Sequence, residues 1–160
     1  MNLNLKIIDN FFSKKEFQIL QRNVFNLDMR PMKNNNGTYG FRHTFDVDKN
    51  NQWLFDKIKQ NFFLNKELKV VNASYHLRHN KEKVMAHKDD CAYNFILYLK
   101  GQELMYNGTG FYDKNNNLNT YVGFVENRAL FFDGRNNLHT TLQALGESSP
   151  RHTINIFYDN

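Results

Sequence analysis

The chain has 160 residues, enough for one compact domain with one sizeable core and too few for two. Apolar residues at 41% and charged residues at 23% exclude wholesale disorder and a long coiled coil. The single cysteine, Cys91, excludes a disulfide framework and a cysteine-based zinc site, so a metal would have to be held by His, Asp or Glu.

Leu3 to Ile8 reads as a short strand, and Ser13 with Glu16 three residues on reads as a capping box. From Lys14 to about Phe25 the apolar positions Phe17, Ile19, Leu20, Val24 and Phe25 share one helical face. Met29 to Phe45 reads as a loop through Asn34-Asn35-Asn36-Gly37 that leads into a strand at Tyr39, Phe41, His43 and Phe45. A second amphipathic helix is predicted from Gln52 to Leu64, its stripe made of Trp53, Leu54, Ile58, Phe62 and Phe63.

After Leu68 the texture changes to short β-rich runs. They are Leu68 to Leu77, Val84 to His87, Tyr93 to Leu99, Gly110 to Asp113, Thr120 to Val125, Ala129 to Asp133, His139 to Leu142 and His152 to Tyr158. Short strands at this spacing predict a sandwich or jelly roll. No linker or internal repeat divides the chain, so the expectation is a single domain, 1–160, with a helical support region over 1–67 and a jelly-roll core over 68–160. Twenty-five asparagines against 2 prolines follow AT-rich codons, as in a phage or a low-GC bacterium, and fall largely in the expected turns. The net charge of +5 is spread over scattered basic residues and reads as a solvated surface. No long apolar run and no signal-like N-terminal stretch stand out, which sets the expectation of a cytoplasmic chain, in a host cytoplasm if phage-encoded, with no membrane partner.

His87 and Asp89 stand two residues apart at the end of one expected strand, so both side chains project to the same face and can chelate one metal. Asp90 is a weaker alternative, because its spacing from His87 does not face one way on an extended chain. His139, at the mouth of a later strand, supplies a third ligand. Two histidines and one carboxylate on one octahedral face leave adjacent positions open, the arrangement of non-haem Fe(II) oxygenases. Arg151 follows Pro150 and opens a strand in which Arg151, Thr153 and Asn155 share a polar face while Ile154 and Ile156 share an apolar one.

With these residues in place, the stretch Val70 to Asp159 resembles the Fe(II)- and 2-oxoglutarate-dependent dioxygenases, and among them the prolyl 4-hydroxylase-like branch. The resemblance rests on His87-x-Asp89, Tyr93 to Lys100, Asn107-Gly108-Thr109-Gly110-Phe111, Asn127 to Phe132, His139, and Arg151 to Tyr158, in that order and spacing. It implies a mainly β fold with supporting helices: a double-stranded β-helix (jelly roll) whose major sheet carries the two N-terminal helices. It implies Fe(II) on His87, Asp89 and His139 as the catalytic centre, with 2-oxoglutarate, O2 and ascorbate as reductant. Arg151 would hold the distal carboxylate of 2-oxoglutarate with Tyr98, beside Tyr75, Thr153 and Asn155.

The implied activity is hydroxylation of a substrate C–H bond coupled to oxidative decarboxylation of 2-oxoglutarate to succinate and CO2. A protein or peptide substrate, with proline first, is the leading expectation, and a monomer the expected state. The alternatives are a nucleic-acid demethylase of the same superfamily, motivated by the basic charge, and a non-catalytic or cupin-like metal-binding jelly roll. Lys100 and the run Asn107-Gly108-Thr109-Gly110 depart from the branch and bear on substrate class. Tyr39, Arg42, Arg78 and Arg128 are candidate walls of the entrance, and His43, His76, His79 and His152 read as packing or surface residues.

Overall fold

Strand β1 (Leu5–Ile8) leads into helix α1 (Lys14–Phe25), whose start is set by the expected capping box. The Ser13 amide donates to Glu16 Oε2 at 2.8 Å, and the Glu16 amide donates to Ser13 Oγ at 3.4 Å, so two otherwise orphaned donors are satisfied reciprocally. Helix α2 (Gln52–Phe62) follows a turn in which Asp48 Oδ1 accepts from the amides of Asn50 and Asn51. The structure is a computed structural model and describes residues 4–34, 37–63, 67–78, 85–103, 107–141 and 150–160. No described helix is long and apolar enough to cross a membrane.

The segment expected as a loop leading into one strand is a hairpin instead, β2 (Arg30–Asn34) paired with β3 (Gly37–Thr44). The remaining strands are β4 (Lys69–Arg78), β5 (Tyr93–Lys100), β6 (Thr109–Tyr112), β7 (Leu118–Val122), β8 (Ala129–Asp133), β9 (Leu138–Thr141) and β10 (Arg151–Asp159). Seven form one antiparallel sheet in the order β1-β8-β5-β10-β4-β3-β2, and β7-β6-β9 form a second. The fold is thus the expected jelly roll of a major and a minor sheet. Of the strand expected over Val84 to His87, Val84 lies outside the described residues, and from Met85 to His87 only His87 pairs, in a single antiparallel bridge to His139.

Alternation along β5 divides the interior into two layers. Phe95, Leu97 and Leu99 face the helices and join Phe17, Leu20, Leu54, Ile58, Ile154 and Ile156 in one core. Ile96 and Tyr98 face the minor sheet and pack with Phe111, Val122, Phe124 and Phe132. Burying each of these large side chains contributes about 1.5–3 kcal/mol. Both helices therefore cover the major sheet, as expected from their stripes.

The inter-sheet layer is apolar only at its β5-β8 end. Across β4 and β10 the same face carries Ser74, His76, Arg78, Arg151, Thr153 and Asn155, in register as neighbours. Polar side chains between two sheets need partners or a ligand, and this is where the site lies. A further tie holds the N-terminal segment to the core: Asn127, at φ 64°, accepts from the Phe12 amide at 2.9 Å and donates to its carbonyl at 2.8 Å.

Candidate metal centre

His87, Asp89 and His139 converge, with one ligand atom from each lying within 4.8 Å of the others. His139 Nε2 is 3.3 Å from Asp89 Oδ2, and His87 Nε2 is 3.7 Å from Asp89 Oδ1. Neighbouring ligands at right angles around a metal, each about 2.1 Å from it, stand about 3 Å apart, so the three groups are placed to share one ion.

The backbone fixes this arrangement. The His87 amide donates to the His139 carbonyl at 3.0 Å, and the His139 amide donates back to the His87 carbonyl at 2.9 Å. Each imidazole is then pinned by the carbonyl two residues before it: His87 Nδ1 to Met85 O and His139 Nδ1 to Asn137 O, both at 3.1 Å. A carbonyl only accepts, so both Nδ1 atoms carry hydrogen and both Nε2 atoms are turned toward Asp89, the atoms through which the rings would bind a metal. Burial alone would raise the Asp89 pKa, but hydrogen bonding and charge from His139, then Asn94 and His87, outweigh it and hold it below the ordinary carboxylate value. Asn94 donates Nδ2–H to Asp89 Oδ2 at 2.6 Å and orients the carboxylate.

A cavity of about 70 Å³ opens beside these groups, lined among others by His76, Arg78, Asn94, Thr109, Arg151 and Asn155. Arg151 is 4% exposed. One of its terminal nitrogens donates to the carbonyls of Asn107 and Gly108, and its Nε has no partner among the described residues. No described carboxylate lies within 4 Å of it. Burial lowers its pKa to about 10, which leaves it a cation at neutral pH. The guanidinium sits 5.8 Å over the Tyr98 ring, and Tyr98 donates its hydroxyl to Thr109 Oγ1 at 2.8 Å.

No protein-family model matches the sequence, and no curated protein does. Solved structures do match the fold. One is a prolyl hydroxylase from Trichoplax adhaerens in complex with a hypoxia inducible factor peptide (TM-score 0.73, 12% identity, 98% of this chain and 83% of that one). Another is a prolyl-4-hydroxylase from Pseudomonas putida (0.68, 12%, 99% and 94%). A third is HygX from Streptomyces hygroscopicus with nickel, 2-oxoglutarate and hygromycin B bound (0.68, 12%, 98% and 83%). The chain has the fold of the 2-oxoglutarate- and Fe(II)-dependent oxygenases.

Within this oxygenase fold the other expected residues divide. Thr153 and Asn155 line the cavity, Thr153 Oγ1 donating to Asn155 Oδ1 at 2.8 Å. Tyr98 stands behind Arg151. Tyr75 does not belong with them, because on β4 it points to the helix side, where its ring packs on Phe45 at 4.7 Å in the main core. Its neighbour His76 takes the cavity face instead, a position sequence reasoning missed. The parity of β4 with Arg78 was the available signal. Burial pushes the His76 pKa down to about 3, with Arg78, Arg42 and Arg151 acting the same way. Ser74 Oγ holds its Nε2 at 2.9 Å.

Arg128 is no wall of the entrance, since it pairs with Asp9 and donates to the Gly123 carbonyl at 2.9 Å. The Asp90 side chain is fully solvent-exposed, 4.0 Å from Arg135. The described side chains do not include Tyr39, and His79 lies outside the described residues.

Proposed function

We propose that the chain is an Fe(II)- and 2-oxoglutarate-dependent dioxygenase that hydroxylates a C–H bond of a protein residue, proline first, with His87, Asp89 and His139 as iron ligands. The observation that carries the reading is the pair of carbonyl-pinned imidazoles whose Nε2 atoms converge on one carboxylate. Such a donor set, neutral nitrogen and anionic oxygen with open positions, suits Fe(II). The buried Arg151 with its orphaned Nε suits the far carboxylate of 2-oxoglutarate, because a planar fork takes a carboxylate bidentately.

Bound there, the iron and 2-oxoglutarate supply the oxidising chemistry that couples decarboxylation of the keto acid to hydroxylation of substrate. The chain's own residues do the positioning. Asn94 keeps the Asp89 carboxylate turned toward the histidines, Tyr98 and Thr109 hold the wall behind Arg151, and Thr153 with Asn155 presents a polar floor. Phe111 and Phe132, packed against His139, screen the ligand from water on the minor-sheet side. The prolyl hydroxylases among the similar structures support a peptide substrate for this chain, while the hygromycin-bound HygX favours a small molecule.

The test is turnover by the full chain with Fe(II), ascorbate and 2-oxoglutarate over a proline-containing peptide library. Succinate formation with a mass gain of one oxygen on peptide is expected. Failure of the protein to bind Co(II) in place of iron, or to bind 2-oxoglutarate once metal-loaded, would overturn the reading.

A further inference from the structure

The cationic character of the cavity does not stop at Arg151. Residues at matching register share a sheet face, and the register runs Thr153↔His76↔Arg42↔Arg30 across β10, β4, β3 and β2. The adjacent row runs Arg151↔Arg78↔Gly40. Four arginines therefore step along one face from the buried floor at Arg151, through half-buried Arg78, to exposed Arg42 and Arg30. Neither Arg30 nor Arg42 has an ion pair among the described residues. Both line a shallow depression whose single acidic side chain, Asp28, lies more than 4 Å from either guanidinium.

Unpaired arginines are what an anionic partner would pair with. Strands lie about 4.8 Å apart, so Arg42 stands about 10 Å and Arg30 about 14 Å from Thr153 along this face. An extended peptide covers those distances in about three and four residues. Apart from the imidazoles of His76, His87 and His139, the cavity is lined among the described residues by a single aromatic ring, Phe157, a sparse platform for stacking a base.

We infer that Arg42 and Arg30 form a recognition track for an acidic peptide, whose carboxylates lie about three and five residues from the residue over Thr153, positions near those distances that share one face of an extended chain. This rests on the reading of the cavity as an oxygenase site and adds the substrate class to it. The row beside the track is closed at buried Gly40, where a Cβ would stand 2.6 Å from the Leu77 carbonyl and 3.0 Å from Met32 Cε, so the arginine row is the one open to a partner.

The experiment measures binding by fluorescence anisotropy to the full chain, metal-free and loaded with Co(II) and 2-oxoglutarate. The probes are a labelled proline peptide carrying glutamates at the stated offsets, the same peptide with glutamines, and a labelled oligothymidylate. The glutamate peptide should bind about tenfold more tightly than its glutamine counterpart, with a preference that shrinks as salt rises. Arg30→Gln with Arg42→Gln should erase that preference, and Arg30→Lys with Arg42→Lys should retain part of it. Equal binding of the two peptides overturns the inference, as does a preference that survives the double glutamine variant. So does tighter, arginine-dependent binding of the oligothymidylate, which would assign the track to nucleic acid. Co(II) and 2-oxoglutarate affinities of the same samples judge the metal-site reading separately, because Arg30 and Arg42 touch neither.

Discussion

A guanidinium in the interior without a counter-charge costs the folded chain free energy, since burial removes its hydration and nothing anionic replaces it. Arg151 is in that position, 4% exposed and held, among the described residues, by two carbonyls and the face of Tyr98. Replacing it with a similarly long apolar residue should therefore not harm the free protein. Arg151→Met should melt at or above the parent temperature without ligand, and should lose the stabilisation that 2-oxoglutarate gives the Co(II)-loaded parent. Its 2-oxoglutarate affinity should fall roughly 100-fold, the loss of a charge-assisted pair worth about 2–3 kcal/mol. Thermal melts with and without 2-oxoglutarate check both halves, and a variant that melts far below the parent while still responding to 2-oxoglutarate would refute the assignment. Asn94 acts on the metal through Asp89. Asn94→Leu should weaken Co(II) binding about 10–100-fold, as losses of carboxylate-orienting groups do, with 2-oxoglutarate affinity at saturating metal largely kept.

At the scale of elements, what is local was legible. Ser13 and Glu16 sit at capping-box spacing and the box forms. Ser13→Ala should cost about 1 kcal/mol in urea unfolding and leave Co(II) affinity unchanged; a shift in metal binding would mean that α1 is coupled to the site. The hairpin was harder to read, because Arg30-Pro31-Met32 does not alternate and Pro31 argues against a strand. The structure resolves this by making β2 the edge of the major sheet, where a missing amide costs nothing. The same kind of limit hid His76. Val70 to Ser74 offers no clean alternation, so the choice between Tyr75 and His76 rests on parity with Arg78 alone, and one residue of parity moves a side chain from core to cavity. His87, Asp89, His139 and Arg151 were legible through the order and spacing of the motifs that resemble the dioxygenases, although the strand expected to carry His87 is reduced, among the described residues, to a single bridge.

Over the whole molecule, the pH dependence of stability follows from groups on both sides of neutrality. The Arg128 hydrogen bond holds the Asp9 pKa below its ordinary value, Ser13 does the same for Glu16, and Asp89 is likewise lowered. A carboxyl with a depressed folded pKa contributes stability above its unfolded value and loses it as pH falls through the folded one. Buried His76 adds to this, because the unfolded chain takes up its proton below 6.5 while the folded one refuses it down to about 3, so the urea midpoint of the metal-free protein should begin to fall below about pH 6.5 and fall more steeply below about pH 4. Arg128→Gln should shrink that acid loss, which titration of the two proteins side by side measures. On the alkaline side, burial raises Cys91 from 9.0 to about 12 and Tyr75 from 10.0 to about 12. The unfolded chain releases those protons first, so stability should decline as pH climbs above 9.0. Cys91→Ala should delay the onset of the decline.

The paired peptide groups of His87 and His139 carry a consequence for how the site fills. Bringing two distant stretches of chain together is an entropic cost, and here two backbone hydrogen bonds between protein groups alone offset part of it. If those bonds suffice, metal capture is uncoupled from chain closure, and this is open to test. The amide protons of His87 and His139 should already resist exchange with deuterium in chelator-treated protein, and loading with Co(II) should slow them little further, the opposite of a centre that knits its own fold on binding.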